Sequence, residues 1–351
     1  MNELVEKNNS FSRNLNESNN LVITRDYGFD CASFFSMHKT PFTLTPPKNH
    51  IFEHENYLHA KNTLLFGISS GEKLLKITGE VGAGKTLLIN DTLSSIDHQH
   101  YPIRILNPKI SPKDLLCQII DEFGRPYPAD ATIEQLMRVL RFTLHEHYTR
   151  TDANILVWID DAHNLSNNTL LIIDKISSWS TPNRALLQFI ISGSIELDQR
   201  LEHPLLSSMK NNIRFSDILI NIKKHELSDY VSSCIHSEDE LDKPQFIPRA
   251  LKQLYKYSNG NPSAINKLAY KSLLLAYGKG LRTVTHHYVN AAFREQYDAQ
   301  NHVHQYLQNK VKTKSQQSSG KLYTKKHWLH ASVAWLSINA VLAYAYFGGY
   351  L

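Results

Sequence analysis

Eight consecutive residues, Gly79-Glu80-Val81-Gly82-Ala83-Gly84-Lys85-Thr86, carry the spacing G-x-x-x-x-G-K-T. Glycines so placed let backbone N–H groups turn inward around a phosphate chain. The lysine supplies a point charge for the β- and γ-phosphates, and the threonine hydroxyl can reach a magnesium ion. The ligand this chemistry names is a nucleoside triphosphate with Mg2+. The nucleotide-binding candidates are Gly79, Glu80, Val81, Gly82, Ala83, Gly84, Lys85, Thr86 and Leu87, with Thr86 also a metal ligand. A second constellation is the apolar run Ile155-Leu156-Val157-Trp158-Ile159 followed by Asp160-Asp161. Such a run suits a parallel strand covered on both faces, and carboxylates at its carboxyl end sit where open α/β sheets bind ligands. Asp160 would hold magnesium through its water shell, and Asp161 would orient or deprotonate the attacking water. The plainer alternative is a strand ending in a polar turn, with Asp161 capping the next helix.

These residues need a scaffold, and the flanking pattern supplies one. Leu74 to Thr78 reads as a buried strand and Leu87 to Ile96 as a helix, the strand–loop–helix context that the phosphate motif requires. Strands are expected at 74–78, 102–106, 154–159, 186–192 and 213–222, with helices at 84–97, 111–123, 132–149, 167–179 and 195–202. This alternation predicts an α/β fold, a parallel sheet with helices on both faces. Asn56 to Ile68 reads as a helix before the first strand that could wrap the nucleotide base. From residue 226 to 297 only helical patterns occur, among them Phe246–Tyr257 and Pro262–Tyr277, which predicts a second, all-helical domain.

Composition narrows the function classes. Cys31, Cys117 and Cys234 are far apart and form no zinc-ligand spacing, so a reduced compartment and buried small thiols are expected. The 18 histidines are scattered, giving no basis for a serine or cysteine hydrolase. The formal charge is +5, yet no acidic residue follows Asp298, and six lysines lie beyond it. Without those six the balance is 32 basic to 33 acidic side chains, which gives no reason to expect a basic nucleic-acid face on the main domain. Residues 1 to about 26 are polar and read as a disordered leader. The stretch from Trp328 to Phe347 has no charge apart from a titratable His330 and is long enough to span a bilayer as a helix. Lysines lie only on its amino-terminal side, which should then stay cytoplasmic. Ser332, Ser337 and Asn339 leave open a helix packed on a partner instead.

With these motifs in place the chain resembles the AAA+ ATPases of the secretion-pathway GspA/ExeA and pilus-biogenesis MshM type. The carrying residues are Phe34-Phe35, Pro41-Phe42-Thr43-Leu44-Thr45-Pro46, the loop from Thr78 to Thr86, Ile105-Leu106-Asn107-Pro108-Lys109, Ile159-Asp160-Asp161-Ala162-His163-Asn164-Leu165, Gly260-Asn261-Pro262 and Ile265-Asn266. The resemblance implies an AAA+ P-loop domain with a parallel five-stranded sheet, then a helical lid. The expected organisation is a leader (1–28), the AAA+ domain (29–222), the lid (223–298), a basic linker (299–326) and a transmembrane helix (327–351). It further implies an ATPase held in the bacterial inner membrane by a single pass with its ATPase domain cytoplasmic. Its partners would be a secretion or pilus assembly protein and further copies of itself; nucleic acid is not expected.

Four positions depart from the family pattern. The acidic pair is Asp160-Asp161 where Asp-Glu is usual; one methylene fewer draws the carboxylate back by ~1 Å, and such a misplacement can cost ~100-fold in rate. Ser207 and Asn212 stand where arginines are expected, with Arg200 and Arg214 as substitutes out of register. Ser263-Ala264 stands where the lid arginine would be, and Ser194 is the candidate polar sensor. Catalytic candidates are thus Asp161, Lys85 and Ser194, with Thr86 and Asp160 for the metal. Two other functions compete with an ATPase: a nucleotide-bound scaffold that scarcely hydrolyses, and a DNA-partner ATPase of the transposition or replication kind.

Overall fold

The computed structural model describes residues 31–37, 40–43, 46, 50–96, 100–105, 107, 109–151, 153–181, 185–235 and 243–298. Its centre is a five-stranded parallel sheet made of β1 (Leu74–Gly79), β2 (His100–Ile105), β3 (Asn154–Ile159), β4 (Gln188–Gly193) and β5 (Phe215–Leu219), in the order β2-β3-β4-β1-β5. The chain leaves β1 for the far edge at β2 and works back through β3 and β4. This crossover leaves a crevice at the carboxyl ends of β1, β3 and β4. Register holds those ends level: Thr78 pairs with Gly193, and Ile159 with Ile191.

Both faces of the sheet are covered, which is why β3 reads as an apolar run from Ile155 to Ile159 and β4 is buried along its whole length. Side chains alternate across a strand. Leu74, Ile155, Val157, Phe189 and Ile191 point into one layer with α4 (Pro112–Asp121), α5 (Ile133–Thr151), α6 (Asn167–Ser177), α7 (Glu196–Leu201) and α8 (Ser207–Asn212). Leu75, Ile77, Leu156, Trp158 and Ile190 point into the other, with α2 (Glu55–Ser69) and α3 (Lys85–Ser95). A single turn of helix, α1 (Cys31–Phe34), precedes them. Helix starts follow local chemistry: Ser111 and Ser166 accept from the backbone N–H of Asp114 and Thr169 at the heads of α4 and α6.

Past the sheet come α9 (Leu227–Ser233), β6 (Gln245–Phe246), α10 (Pro248–Ser258), α11 (Pro262–Tyr277), β7 (Thr283–Val284) and α12 over 286–298. The all-helical expectation needs one correction. β6 and β7 form a short parallel pair, since Gln245 and Phe246 align with Thr283 and Val284; two residues are too few to leave a period-two signal. The strand expected at 213–222 stops at Leu219, because the backbone N–H of Ile222 turns away to donate to the Gly260 carbonyl at 2.9 Å.

Contacts divide the chain after Asn290, and the described residues beyond that point, 291–298, continue α12. The leader (1–28), the linker (299–326) and the apolar stretch (327–351) lie outside the described residues. Among the described residues no helix is long and apolar enough to cross a membrane.

Candidate functional site

The phosphate loop bridges β1 and α3. Lys85, at the first turn of α3, is buried, and its Nζ donates to the carbonyls of Gly79 at 3.0 Å and Glu80 at 2.9 Å. Burial pushes the Lys85 ammonium below the usual lysine range, and the charges of Asp160 and Asp161 oppose that shift. Gly82 has φ +85, and a Cβ there would lie 2.7 Å from the Ser263 Cβ, so left-handed backbone and close approach both demand glycine. Residues 81–87 line a cavity of about 760 Å³ together with Asp160 and Asp161. Gly79 and Glu80 do not face it: Gly79 offers its carbonyl to Lys85, and the Glu80 Oε2 accepts from Asn221 Nδ2 at 2.8 Å.

The loop and the acidic strand end meet directly. Thr86 Oγ1 donates to Asp160 Oδ2 at 2.5 Å. The other oxygen, Asp160 Oδ1, accepts from Ser192 Oγ at 2.6 Å and from the Asp161 backbone N–H at 2.9 Å. Ser192 is itself fixed by Trp158, whose Nε1–H donates to its hydroxyl at 3.3 Å. Asp161 takes left-handed backbone, φ 51, at the head of a short turn (Ala162–Asn164), yet its side chain caps nothing. Its carboxylate is 57% exposed and lies 4.0 Å from His163 Nδ1. The donor set suits magnesium: one carboxylate and one hydroxyl in contact, with room for phosphate oxygens and water, is how this hard cation is usually held. No cluster of three or more acidic, His or Cys ligands exists among the described residues.

Ser194 lies elsewhere. It falls one residue past β4, its hydroxyl donates to Glu196 Oε2 at 3.1 Å, and its backbone N–H donates to His163 Nδ1 at 3.2 Å. The polar group on Asp160 is Ser192, which sequence reasoning missed. The register explains it: Trp158 pairs with Ile190 and Ile159 with Ile191, so the next step sets Asp160 beside Ser192. Of the basic substitutes, Arg200 is engaged within the chain, donating to the His163 carbonyl at 2.6 Å and to Asn167 Oδ1 at 2.7 Å. Arg214 is 75% exposed, with Glu72 at 3.6 Å. Asn212 donates to Asp174 Oδ1 at 2.7 Å.

The C-terminal helices close the other side of the cavity. Asn261 caps α11 by accepting from the Ala264 N–H, and its Nδ2 donates to the Val81 carbonyl at 2.9 Å. The Ser263 N–H donates to the Gly82 carbonyl at 3.2 Å. Farther from the phosphate loop the wall is more apolar. Phe52 meets Tyr230 edge-on at 5.6 Å, and the Tyr230 hydroxyl donates to Asn266 Oδ1 at 2.8 Å. Burial lowers the pKa of His54, raises that of the Tyr230 phenol, and pushes the Cys234 thiol up to about 11. A planar base fits such a wall. Tyr230 and His54 come from opposite ends of the chain's fold, which is why no local pattern announced them.

Known proteins resemble this chain in sequence and in fold. A family model described as an AAA domain matches residues 68–201. General secretion pathway protein A of Aeromonas hydrophila is 28% identical over 268 residues, covering 75% of this chain and 48% of that protein. The chain therefore spans about half the length of the curated relative it matches. Among solved structures, the Aeropyrum pernix ORC2 protein in its ADPNP–ADP complexes superposes with a TM-score of 0.52 at 15% identity, covering 75% of this chain and 71% of that one. Cdc6p from Pyrobaculum aerophilum gives 0.51 at 14%, covering 73% and 68%. The Aeropyrum pernix ORC1 protein in complex with DNA gives 0.52 at 12%, covering 73% and 69%. At such identities these likenesses show the shared fold.

Proposed function

We propose that this chain, which carries an AAA domain and is related to General secretion pathway protein A, binds Mg-ATP and hydrolyses it slowly. It would use its nucleotide state to drive assembly of a secretion or pilus machine in the envelope. The observation that carries this is the contact of Thr86 with Asp160, which joins the phosphate loop to the acidic strand end. In this mechanism the backbone N–H groups of Gly82, Gly84, Lys85 and Thr86 and the Lys85 ammonium bind the phosphates, while the Ala83 N–H is held by the Glu80 carbonyl at 3.2 Å. Thr86 and Asp160 would hold Mg2+, which when bound neutralises charge on the β- and γ-phosphate oxygens. Asp161, exposed and capping no helix, orients the attacking water. Ser192 fixes the Asp160 carboxylate, and we place the polar-sensor role there rather than on Ser194.

Residues 327–351 are proposed as a single-pass anchor in the bacterial inner membrane with the AAA domain on the cytoplasmic side, on the strength of their uncharged length. The partners would be a secretion or pilus assembly protein and further copies of this chain, with the exposed Arg214 available to a neighbour's phosphates. A second reading, a nucleotide-bound switch with little turnover, is favoured by the short Asp161 side chain and its left-handed backbone.

Lys85→Ala tests both readings. The variant loses two charge-assisted phosphate contacts worth ~1.5–3 kcal/mol each, so affinity for a fluorescent ATP analogue should fall ~100-fold or more. Phosphate release should drop to background. Wild-type release equal to that of the variant, with analogue binding intact, leaves only the switch. Wild-type protein that shows no magnesium-dependent binding refutes both.

A further inference from the structure

Charge is sorted along this chain more sharply than its total suggests. From Lys243 to Arg294 there are nine lysines and arginines and not one aspartate or glutamate. Residues 1–242 carry 31 acidic side chains against 23 basic ones. The near-neutral balance outside the lysine-rich end is therefore an average of an acidic part and a basic part. Helix α10 shows how the basic part is laid out. Ala250, Leu254 and Ser258 recur every four residues and are buried, while Arg249, Lys252 and Lys256 are exposed at helical spacing on another side. Helix α11 and the turn after it expose Lys267, Lys279 and, between and beside them, Leu274 (38%) and Leu281 (47%). Among the described residues, Arg249, Lys252, Lys256, Lys267 and Lys279 take part in none of the ion pairs.

We propose that the exposed cations of α10, α11 and the following turn dock on the anionic headgroups of a bilayer. An unneutralised set of lysines and arginines is attracted to the negative leaflet, and each one close to the surface strengthens binding about fivefold. The exposed leucines beside these cations favour lipid over a nucleic-acid backbone. A leucine gains apolar burial at the boundary of headgroups and acyl chains, whereas a nucleic-acid backbone rewards cations alone. The sequence continues in the same sense, adding six lysines and no acidic residue after Asp298. This assigns part of the folded protein to the lipid surface, and it draws on the proposed anchor only for proximity.

The test is amine acylation of the full-length chain by a water-soluble reagent, with peptides quantified, in the presence of excess neutral phosphatidylcholine vesicles or vesicles that also contain phosphatidylserine. Lys252, Lys256 and Lys267 should react several-fold more slowly with the anionic vesicles, and high salt should abolish the difference. Lys109 and Lys175, on the sheet part of the chain, should react alike with both. Equal rates at the three helical lysines on the two lipids overturn the proposal. So does protection by duplex DNA without lipid when anionic vesicles give none, which would assign the face to nucleic acid. Flotation with neutral vesicles reports the apolar anchor separately, so its failure and that of the basic face are told apart.

Discussion

Ser192→Ala is the sharpest single probe of the site, with Ser194→Ala beside it. Ser192 donates to Asp160 Oδ1 at 2.6 Å and accepts from the buried Trp158 Nε1–H at 3.3 Å. Removing its hydroxyl deletes a hydrogen bond to an ionised carboxylate, ~1.5–3 kcal/mol, and strands an indole N–H, ~1–3 kcal/mol. The two losses share one site and do not simply add. A net destabilisation of ~2–4 kcal/mol is expected, which lowers the melting temperature by on the order of 10 °C. The Asp160 carboxylate, freed from one of its three donors, turns away from Thr86, and phosphate release should fall ~10-fold or more while analogue binding changes less. Ser194 points its hydroxyl at exposed Glu196, so Ser194→Ala should stay within ~0.5 kcal/mol of wild type. Melting curves, phosphate release and analogue titration read all three quantities. If Ser192→Ala melts and turns over like wild type while Ser194→Ala loses turnover, the assigned role of Ser192 is refuted.

Gly260→Ala should destabilise by at least ~2 kcal/mol in a urea titration, because φ is +74 and the new Cβ would meet the Ile222 carbonyl oxygen at 2.1 Å; an unchanged midpoint would contradict this packing. His54 is held neutral by burial, its pKa lowered from 6.5. The unfolded chain therefore binds the proton first, and stability should fall as pH drops from 6.5 toward the folded pKa, then level off. His54→Gln should flatten that part of the pH–stability curve, and an identical slope in both proteins would count against the buried neutral ring. The Cys234 thiol, pushed up to about 11, should react with iodoacetamide at mildly alkaline pH ~100-fold more slowly than a free thiol. Because Cys234 lines the cavity, Mg-ATP should slow it further; rapid alkylation indifferent to nucleotide would place it elsewhere.

What the chain disclosed in advance follows the range of the physics involved. Short-range signals carried the sheet. The strand expected at 154–159 is β3 with both bounds unchanged, and Pro262–Tyr277 became α11 as expected, since a capping Asn and a first-turn Pro mark its start. The phosphate loop was equally visible because its backbone demands glycines and a lysine at fixed offsets. The misses depend on register and on distant partners. Ser192 and Ser194 look alike until the alignment of β3 with β4 decides which one reaches Asp160. Tyr230, His54 and Asn266 share a cavity wall from three separate elements. The basic character of α10 and α11 was hidden by summing charge over the chain, although the acid-free run from Lys243 to Arg294 was in plain view.

The carbonyls of Val81 and Gly82 accept from the Asn261 side-chain amide and the Ser263 backbone N–H, which couples two parts of the protein through the main chain of the loop. A substitution at Gly82 meant only to weaken affinity would also unfasten the C-terminal helices, so its phenotype would have two origins. Conversely, anything that leans on those helices pulls directly on the backbone of the glycine loop.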